Sequence, residues 1–341
     1  MQNKSYLKNV TLTKKPHIFP ERTFNKEDEL ITALENKRLS KIKINETLKG
    51  GTVSQVYGAE LNNKRCVIKH TEDVRPFDPT EIFIAKNGHN VDTRVLQLLK
   101  KSSVRVPKVF HFFPGITTTV MEDMREGSYE LLSNQILDKR LTINSAHSVG
   151  IKLAELAQIS RDWSRFETNE TAQESIYERG LELRLLYPNT QEQYLKLEKE
   201  HCENDQYWTW PDGHPKNIFV NKNGEVAFID FGRSYWGDQR YMLPNFLSHI
   251  AIYSLIGYIN RQDAVAYMKE SLKTYQLLES VNPSLFCQYF GMEILHRAFG
   301  KWIQGVTTTK QKISLTSFGL TIFDKKISKL EGLFDELRIT A

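Results

Sequence analysis

The chain has 341 residues and a formal net charge of +5, from 46 lysines and arginines against 41 aspartates and glutamates. Hydrophobic residues make up 40% of it and charged residues 26%, as in globular proteins, which excludes disordered, collagen-like and coiled-coil classes. So small a charge gives no argument for nucleic acid, and no nucleic-acid partner is expected. The length exceeds one ordinary core of roughly 100–200 residues and predicts two lobes or domains.

Cysteine usage and hydropathy bear on the compartment. Cys66, Cys202 and Cys287 have no CxxC spacing, which disfavours a disulfide framework or a cysteine-built zinc site and favours a reducing environment. The first residues lack the apolar core of a signal peptide. The most apolar stretch, Leu247 to Ile259, is too short to span a bilayer and predicts a buried helix. We therefore expect a cytoplasmic protein without a membrane partner.

The chain opens with a basic extension. Residues 1–45 hold ten basic and five acidic side chains, which fits a solvated leader better than an arm that binds a phosphate-rich partner. Asn25, followed by acidic residues at positions 27 and 28, has the pattern of a helix N-cap. The sequence thus predicts an N-terminal extension over residues 1–40, with a helix that ends near Asn36.

A β-rich region follows. Residues 41–48, 53–61 and 65–70 are rich in β-branched and aromatic residues and predict three strands, with turns at Gly50-Gly51 and at residues 61–64. An amphipathic helix is predicted from Asp92 to Lys100, and two more strands at 106–113 and 117–124. We assign residues 41–124 to a small N-lobe.

Helical patterns predominate after residue 124. They are predicted at 146–159, at 174–186 and over most of 245–305. One β-hairpin interrupts them at 217–232, with its turn at Asn221 to Gly224. The predicted fold class is therefore α+β, with a larger, mainly helical C-lobe over residues 125–341.

Two features of the N-lobe could meet a nucleotide. Glycines between the first two strands allow backbone N–H groups to approach a phosphate, although a plain hairpin turn fits equally well. The segment is neither a GxGxxG that opens a helix nor a GxxxxGK[ST], so Rossmann and Walker sites lack support. Lys69 lies in the apolar strand Val67-Ile68-Lys69, where it either meets a phosphate or faces water at a sheet edge.

Two features of the C-lobe carry oxygen ligands. Asp212 and Asn217 lie five residues apart in a loop fixed by Gly and Pro, a spacing that suits an acid for a hydroxyl proton and an amide for a hard cation. A capped turn fits that loop equally well. Asp230 ends the apolar strand that contains Phe228 and Ile229, as a metal-binding acid or as the cap of the next turn.

In this order, the segments GGTVSQVYG, VIK, DGHPKN and IDFG resemble the kinase-like phosphotransferases, and within them the aminoglycoside phosphotransferase and choline kinase group. The pair His214-Pro215 is similar to that group's loop, whereas protein kinases usually have Lys-Pro there. The resemblance runs over about residues 41–255. It implies a two-lobed protein-kinase-like fold and an ATP- and Mg²⁺-dependent kinase that phosphorylates a hydroxyl of a small molecule.

On the nucleotide side, the resemblance implies that the glycine-rich loop covers the phosphates of ATP, through Gly50, Gly51, Thr52, Val53 and Ser54. Lys69 would hold the α- and β-phosphates and would itself be fixed by an acid on the next helix. Asp92 stands where relatives usually have Glu, one methylene longer, and Glu81 is the alternative partner. Glu122 and Met124 belong to a segment similar to the hinge whose backbone reads adenine.

On the acceptor side, the resemblance implies that Asp212 accepts the proton of the acceptor hydroxyl, and that Asn217 and Asp230 hold Mg²⁺. His214 and Asp238 would support this site. Two positions differ from the pattern of relatives, in which His usually stands at position 210 and Asp at position 242; here they are Trp210 and Met242.

The acceptor itself is less defined. Residues 163–206 carry ten acidic and five basic side chains, which fit a cationic acceptor such as an amino sugar or amino alcohol, or a solvated helix face. Tyr207, Trp208 and Trp210 either line that site or pack in the core. The alternatives to a small-molecule kinase are an inactive nucleotide-binding regulatory protein and a protein kinase. The sequence names neither the acceptor nor the oligomeric state.

Overall fold

The structure is a computed structural model. It describes residues 27–39, 41–48, 54–71, 79–163, 170–171, 176, 180, 183, 187–299, 308–324 and 327–339. The predicted leader, the Asn25 cap, residues 50–53 of the glycine-rich loop and most of the predicted helix at 174–186 lie outside the described residues.

A five-stranded antiparallel sheet forms the N-lobe, in the order β1-β2-β3-β5-β4. Its strands are β1 Ile42–Leu48, β2 Gln55–Leu61, β3 Lys64–His70, β4 Val109–Phe113 and β5 Thr118–Glu122. Asn62 and Asn63, between β2 and β3, have φ of 52° and 61°, the left-handed conformation that a tight two-residue hairpin turn requires. All five predicted strands are confirmed, to within a few residues at their ends.

Two helices pack on this sheet. Helix α1, Glu27–Asn36, buries Leu30 and Leu34 in a cluster that includes Ile68 of β3. Helix α2, Pro79–Leu99, is more than twice as long as the predicted 92–100. Its middle has a glycine and two asparagines within four residues, which form helices poorly in isolation, so packing rather than propensity makes it helical.

The C-lobe is mainly helical. Its described helices are α3 Leu132–Leu137, α4 Ile143–Arg161, α5 Gln191–Glu203, α6 Met242–Leu255, α7 Arg261–Tyr275, α8 Pro283–Phe299, α9 Thr309–Asp324 and α10 Leu330–Ile339. Every residue of α6 is buried, which confirms a core helix at the most apolar stretch. No helix within the described ranges combines the length and apolarity needed to cross a membrane. The three cysteines are free.

Short strands in the C-lobe were not predicted. The predicted hairpin is present as β9 Ile218–Asn221 and β10 Val226–Phe228, and β6 Tyr129–Leu131 extends it into a three-stranded sheet. Three further strands, β7 Glu170–Thr171, β8 Tyr207–Thr209 and β11 Tyr235–Gly237, form another small sheet. The expectation that strand structure outside the hairpin stops at residue 124 was wrong, because strands of two or three residues are too short to show an alternating pattern.

Candidate active site

The centre of the candidate site is an ion-pair triad between the lobes. Lys69, on β3, places its Nζ 2.7 Å from Asp92 Oδ2 on α2 and 2.9 Å from Asp230 Oδ1, two residues beyond β10. The side chains of Lys69 and Asp92 are 12% and 4% exposed, whereas that of Asp230 is 47% exposed. Lys69 therefore does not face water at a sheet edge. The missing methylene of Asp92 does not prevent the ion pair, and the side chain of Glu81 lies outside the described residues.

Lys69 and the two carboxylates shift one another's pKa values. Burial alone would lower the pKa of Lys69, but the carboxylates of Asp230 and Asp92 outweigh burial and hold that pKa above its ordinary value. Burial raises the pKa of Asp92 against the opposing effect of Lys69. The pKa of Asp230 is lowered, because the charge and hydrogen bond of Lys69 outweigh the opposing effect of desolvation. We infer a cationic Lys69 beside an ionised Asp230 at neutral pH.

The peptide that joins Asp230 to Phe231 is held at both of its polar atoms. The indole Nε1 of Trp210 donates to the Asp230 carbonyl oxygen at 3.0 Å, and the Phe231 amide donates to Asp92 Oδ1 at 2.8 Å. Asp230 has a φ of 62°, a left-handed conformation that aspartate adopts more readily than most residues. Trp210 packs on Phe228 and Phe231, with ring centroids 5.2 and 4.9 Å apart. Trp210 thus organises the backbone at Asp230 with an indole ring, where relatives usually carry the imidazole of histidine.

The loop that carries Asp212 is fixed by its own backbone. The Asp212 carbonyl accepts from the His214 amide at 2.8 Å and from Asn217 Nδ2 at 3.0 Å. The carbonyl of Pro211 accepts from Asn245 Nδ2 on α6 at 2.8 Å. These bonds hold the peptide groups around Asp212, whose side chain is partly exposed.

His214 packs into the C-lobe behind that loop. Its ring lies 5.4 Å from that of His249 on α6, edge to face. Burial lowers the pKa of His214 to about 4, so the imidazole is neutral at physiological pH. A neutral ring at this position supports the loop by packing rather than by carrying charge.

The residues that would hold a metal ion fit Mg²⁺. The Ile229 amide donates to the Asn217 carbonyl at 3.0 Å, which brings Asn217 beside the residue that precedes Asp230. Because Asn217 Nδ2 is bound to the Asp212 carbonyl, Oδ1 is the amide atom that remains to meet a cation. An amide oxygen and a carboxylate are hard oxygen donors of the kind that Mg²⁺ takes, with phosphate oxygens completing its shell.

The glycine-rich loop is described only at its end. Ser54 Oγ lies 2.8 Å from Thr71 Oγ1, just beyond β3, and residues 50–53 lie outside the described part of the chain. In the predicted hinge, the Glu122 side chain pairs with Arg105 and accepts from the Lys108 amide at 3.1 Å. Met124 begins a short 3-10 turn, so its amide N–H has no acceptor within that turn.

Asp238 serves a structural network beyond the triad. Its carboxylate accepts from the Arg240 side chain at 2.8 Å and from the Tyr289 hydroxyl at 2.8 Å, and it caps the turn that leads into α6. Met242, where relatives usually have a second Asp, is 1% exposed and packs in the main core of the C-lobe. The structure places both residues behind the site rather than in it.

The acceptor features have mixed outcomes. Trp208 and Trp210 are fully buried and so pack in the core rather than line a cation site, and only Tyr207 is exposed. Much of the acidic segment at 163–206 lies outside the described residues. Sequence reasoning missed Asn245, which supports the Asp212 loop, because an asparagine within an apolar helix gives no motif. The position of that asparagine in an apolar run was the one available signal.

Comparisons with known proteins support the fold. Solved structures with a similar fold include an amicoumacin kinase with AMP-PNP and Ca²⁺, at 14% identity over 90% of this chain and 98% of that one, with a TM-score of 0.55. A choline kinase from Streptococcus pneumoniae is 15% identical over 87% of this chain and 99% of that one, with a TM-score of 0.54. An ethanolamine kinase from Plasmodium vivax is 12% identical over 89% of this chain and 92% of that one, with a TM-score of 0.55. At identities this low, the TM-scores show a shared fold and nothing finer.

Family membership rests on a separate match. No curated protein matches this chain by sequence. The profile described as the phosphotransferase enzyme family matches residues 45–243, which contain every residue of the triad and of the Asp212 loop. That match covers more than half of the chain, and it begins at β1 and ends where α6 begins. The chain is therefore an enzyme of the phosphotransferase family, with its two-lobed kinase-like fold.

Proposed function

We propose that this enzyme transfers the γ-phosphoryl group of ATP, with Mg²⁺, to a hydroxyl of a small molecule. The observation that carries the proposal is the triad: one lysine bracketed at 2.7 and 2.9 Å by carboxylates from α2 and from the segment after β10. A buried cation with a half-exposed carboxylate beside it is an arrangement suited to phosphate and metal together.

Each side chain has a role in that reaction. Lys69 neutralises the phosphates, and Asp92 fixes the direction of its ammonium group. Asn217 and Asp230 would hold Mg²⁺, which when bound offsets the charge of the transferred phosphate. Asp212 orients the acceptor hydroxyl and takes its proton as the oxygen–phosphorus bond forms. The protein works mainly by positioning and by charge, as phosphoryl transfer requires.

For the acceptor, we propose an amino sugar, an amino alcohol or a related metabolite. Support comes from the printed activities of the structural neighbours, which are kinases of amicoumacin, choline and ethanolamine. His214-Pro215 in the loop disfavours a protein kinase. Trp210 and Asp92, two of the three departures from the family pattern, are engaged in hydrogen bonds that hold Asp230, which favours transfer over a purely regulatory role.

The test is a screen for ADP formation with Mg²⁺-ATP and panels of amino sugars, amino alcohols, nucleosides and sugars. Asp212→Ala is the control, and we expect it to lower turnover by about 10²–10⁴-fold with nucleotide affinity unchanged. Turnover of Asp212→Ala within about twofold of the parent would contradict the role of Asp212. Mg²⁺-ATP binding without transfer to any acceptor would favour the regulatory alternative.

A further inference from the structure

Asp92 uses both of its carboxylate oxygens. Oδ2 accepts from Lys69 at 2.7 Å and Oδ1 accepts from the Phe231 amide at 2.8 Å. The residue is buried, at 3% exposure. A glutamate at this position would add one carbon–carbon bond of about 1.5 Å between the helix and both partners. Either partner or the helix would have to move to accept it.

The helix that carries Asp92 lies directly against the segment that it binds. A Cβ atom placed on Gly232 would lie 2.9 Å from the carbonyl oxygen of Gly88 and 3.3 Å from its carbonyl carbon. Gly88 precedes Asp92 by four residues, about one helical turn, so both face the Asp230 segment. Gly232 does not have a positive φ, so its backbone conformation does not require glycine. The close contact with α2 does, because it leaves no room for a side chain.

A polar seam holds α2 at this distance from the sheet. His89 Nε2 lies 2.9 Å from Thr119 Oγ1, and its Nδ1 lies 3.3 Å from Thr71 Oγ1. Thr93, one turn further along α2, lies 2.7 Å from the same Thr119 hydroxyl. All of these groups are buried, so the seam cannot loosen without leaving polar atoms unpaired.

We propose that His89 and Gly232 are positioning residues that set the backbone of α2 at a spacing matched to aspartate, and not to glutamate, as the partner of Lys69. The role of Lys69 in this statement rests on the proposed function, whereas the spacing itself does not. The length of the Asp92 side chain then matches the distance from α2 to both of its partners. Restoring the glutamate that relatives usually carry is expected to damage the site.

The spacing makes two single substitutions harmful in opposite ways. Asp92→Glu places too long an acid in a fixed gap and displaces Lys69 or Phe231. Gly232→Ala drives its Cβ into the backbone of α2 and moves the helix outward, which leaves Asp92 too short. Misplacement of this size, about 1 Å, lowers rates on the order of 10²-fold. In the double variant the longer acid spans the wider gap, so we expect it to recover at least about tenfold over the worse single variant.

The experiment is a double-mutant cycle on the full chain, read by kcat/KM for ATP and by the temperature of unfolding. Asp138→Glu and Gly115→Ala are matched controls on exposed sites, and a Cβ on Gly115 would meet nothing within 4 Å. Losses in the two single variants and recovery in the double variant, by both readouts, are the expected result. Losses that add in the double variant, or an Asp92→Glu enzyme as active and stable as the parent, would overturn the proposal.

The unfolding readout separates this proposal from the proposed function. If the parent transfers no phosphate, the proposed function fails, and the coupling between positions 92 and 232 is still decided by the unfolding temperatures. Recovery of stability alone would then support the spacing, and additive losses would reject it.

Discussion

Trp210→Phe separates a hydrogen bond from the packing that surrounds it. Trp210 is fully buried, and phenylalanine keeps an aromatic ring against Phe228 and Phe231 while it removes the indole N–H that donates to the Asp230 carbonyl at 3.0 Å. This bond is part-buried, so its loss costs about 0.5–1.5 kcal/mol of unfolding free energy. Because Asp230 is the proposed metal ligand, and loss of a supporting contact typically weakens metal binding by roughly 10–100-fold, the Mg²⁺ concentration for half-maximal turnover should rise by that factor.

The assay is ADP formation across a Mg²⁺ titration, together with urea unfolding. Trp208→Phe is the matched control, since Trp208 is equally buried beside Phe231 and its indole Nε1 has no hydrogen-bond partner among the described residues. The control removes the same atoms but no hydrogen bond, and its Mg²⁺ requirement should stay within about twofold of the parent. Equal shifts in the two variants would refute the reasoning, because they would show that ring volume and not the bond to Asp230 matters.

Three further predictions follow from the same geometry. Asp230→Ala should abolish Mg²⁺-dependent nucleotide binding in calorimetry, and an unchanged affinity for Mg²⁺-ATP would contradict its role as a ligand. Burial lowers the pKa of His89 from 6.5 to about 3, so below pH 6.5 the unfolded chain binds a proton that the folded chain refuses. Because of this residue, the free energy of unfolding in urea should fall by about 2–3 kcal/mol between pH 6.5 and 4.5. His89→Gln should reduce that pH dependence, and an identical pH dependence in the variant and the parent would disprove the assignment. Glu122→Gln breaks a partly exposed pair with Arg105, so it should cost at most about 1 kcal/mol and leave KM for ATP unchanged, whereas a large rise in KM would place that side chain in the nucleotide site.

The parts of this fold that were predictable are those specified by local chemistry. The strands of the N-lobe follow β-branched and aromatic runs, and Asn62-Asn63 supplies the left-handed turn between two of them. The Asp212 loop was placed correctly before β9, and Asp230 after β10, because Gly, Pro and an apolar run mark those boundaries. Short motifs fixed in order along a chain are enough to predict which side chains a known fold class brings together.

The remaining features depend on contacts between distant segments. Neither the length of α2 nor its approach to Gly232 has a local signal, because the helix is stabilised by the sheet and by the segment after β10. Similarly, a tryptophan beside the Asp212 loop fits an acceptor site as well as a core. Its bond to a carbonyl twenty residues away decides between them, and only three-dimensional packing shows it.

Two departures from the family pattern meet at one peptide group. The described part of the chain has no cis peptide bond, so the C=O of Asp230 and the N–H of Phe231 lie in one plane and point in opposite directions. Trp210 binds the first and Asp92 binds the second, from different lobes. Rotation of that plane would break both bonds together. What the site therefore requires at these two positions is a donor and an acceptor at fixed distances, and Trp with Asp meets that requirement as long as α2 stays close.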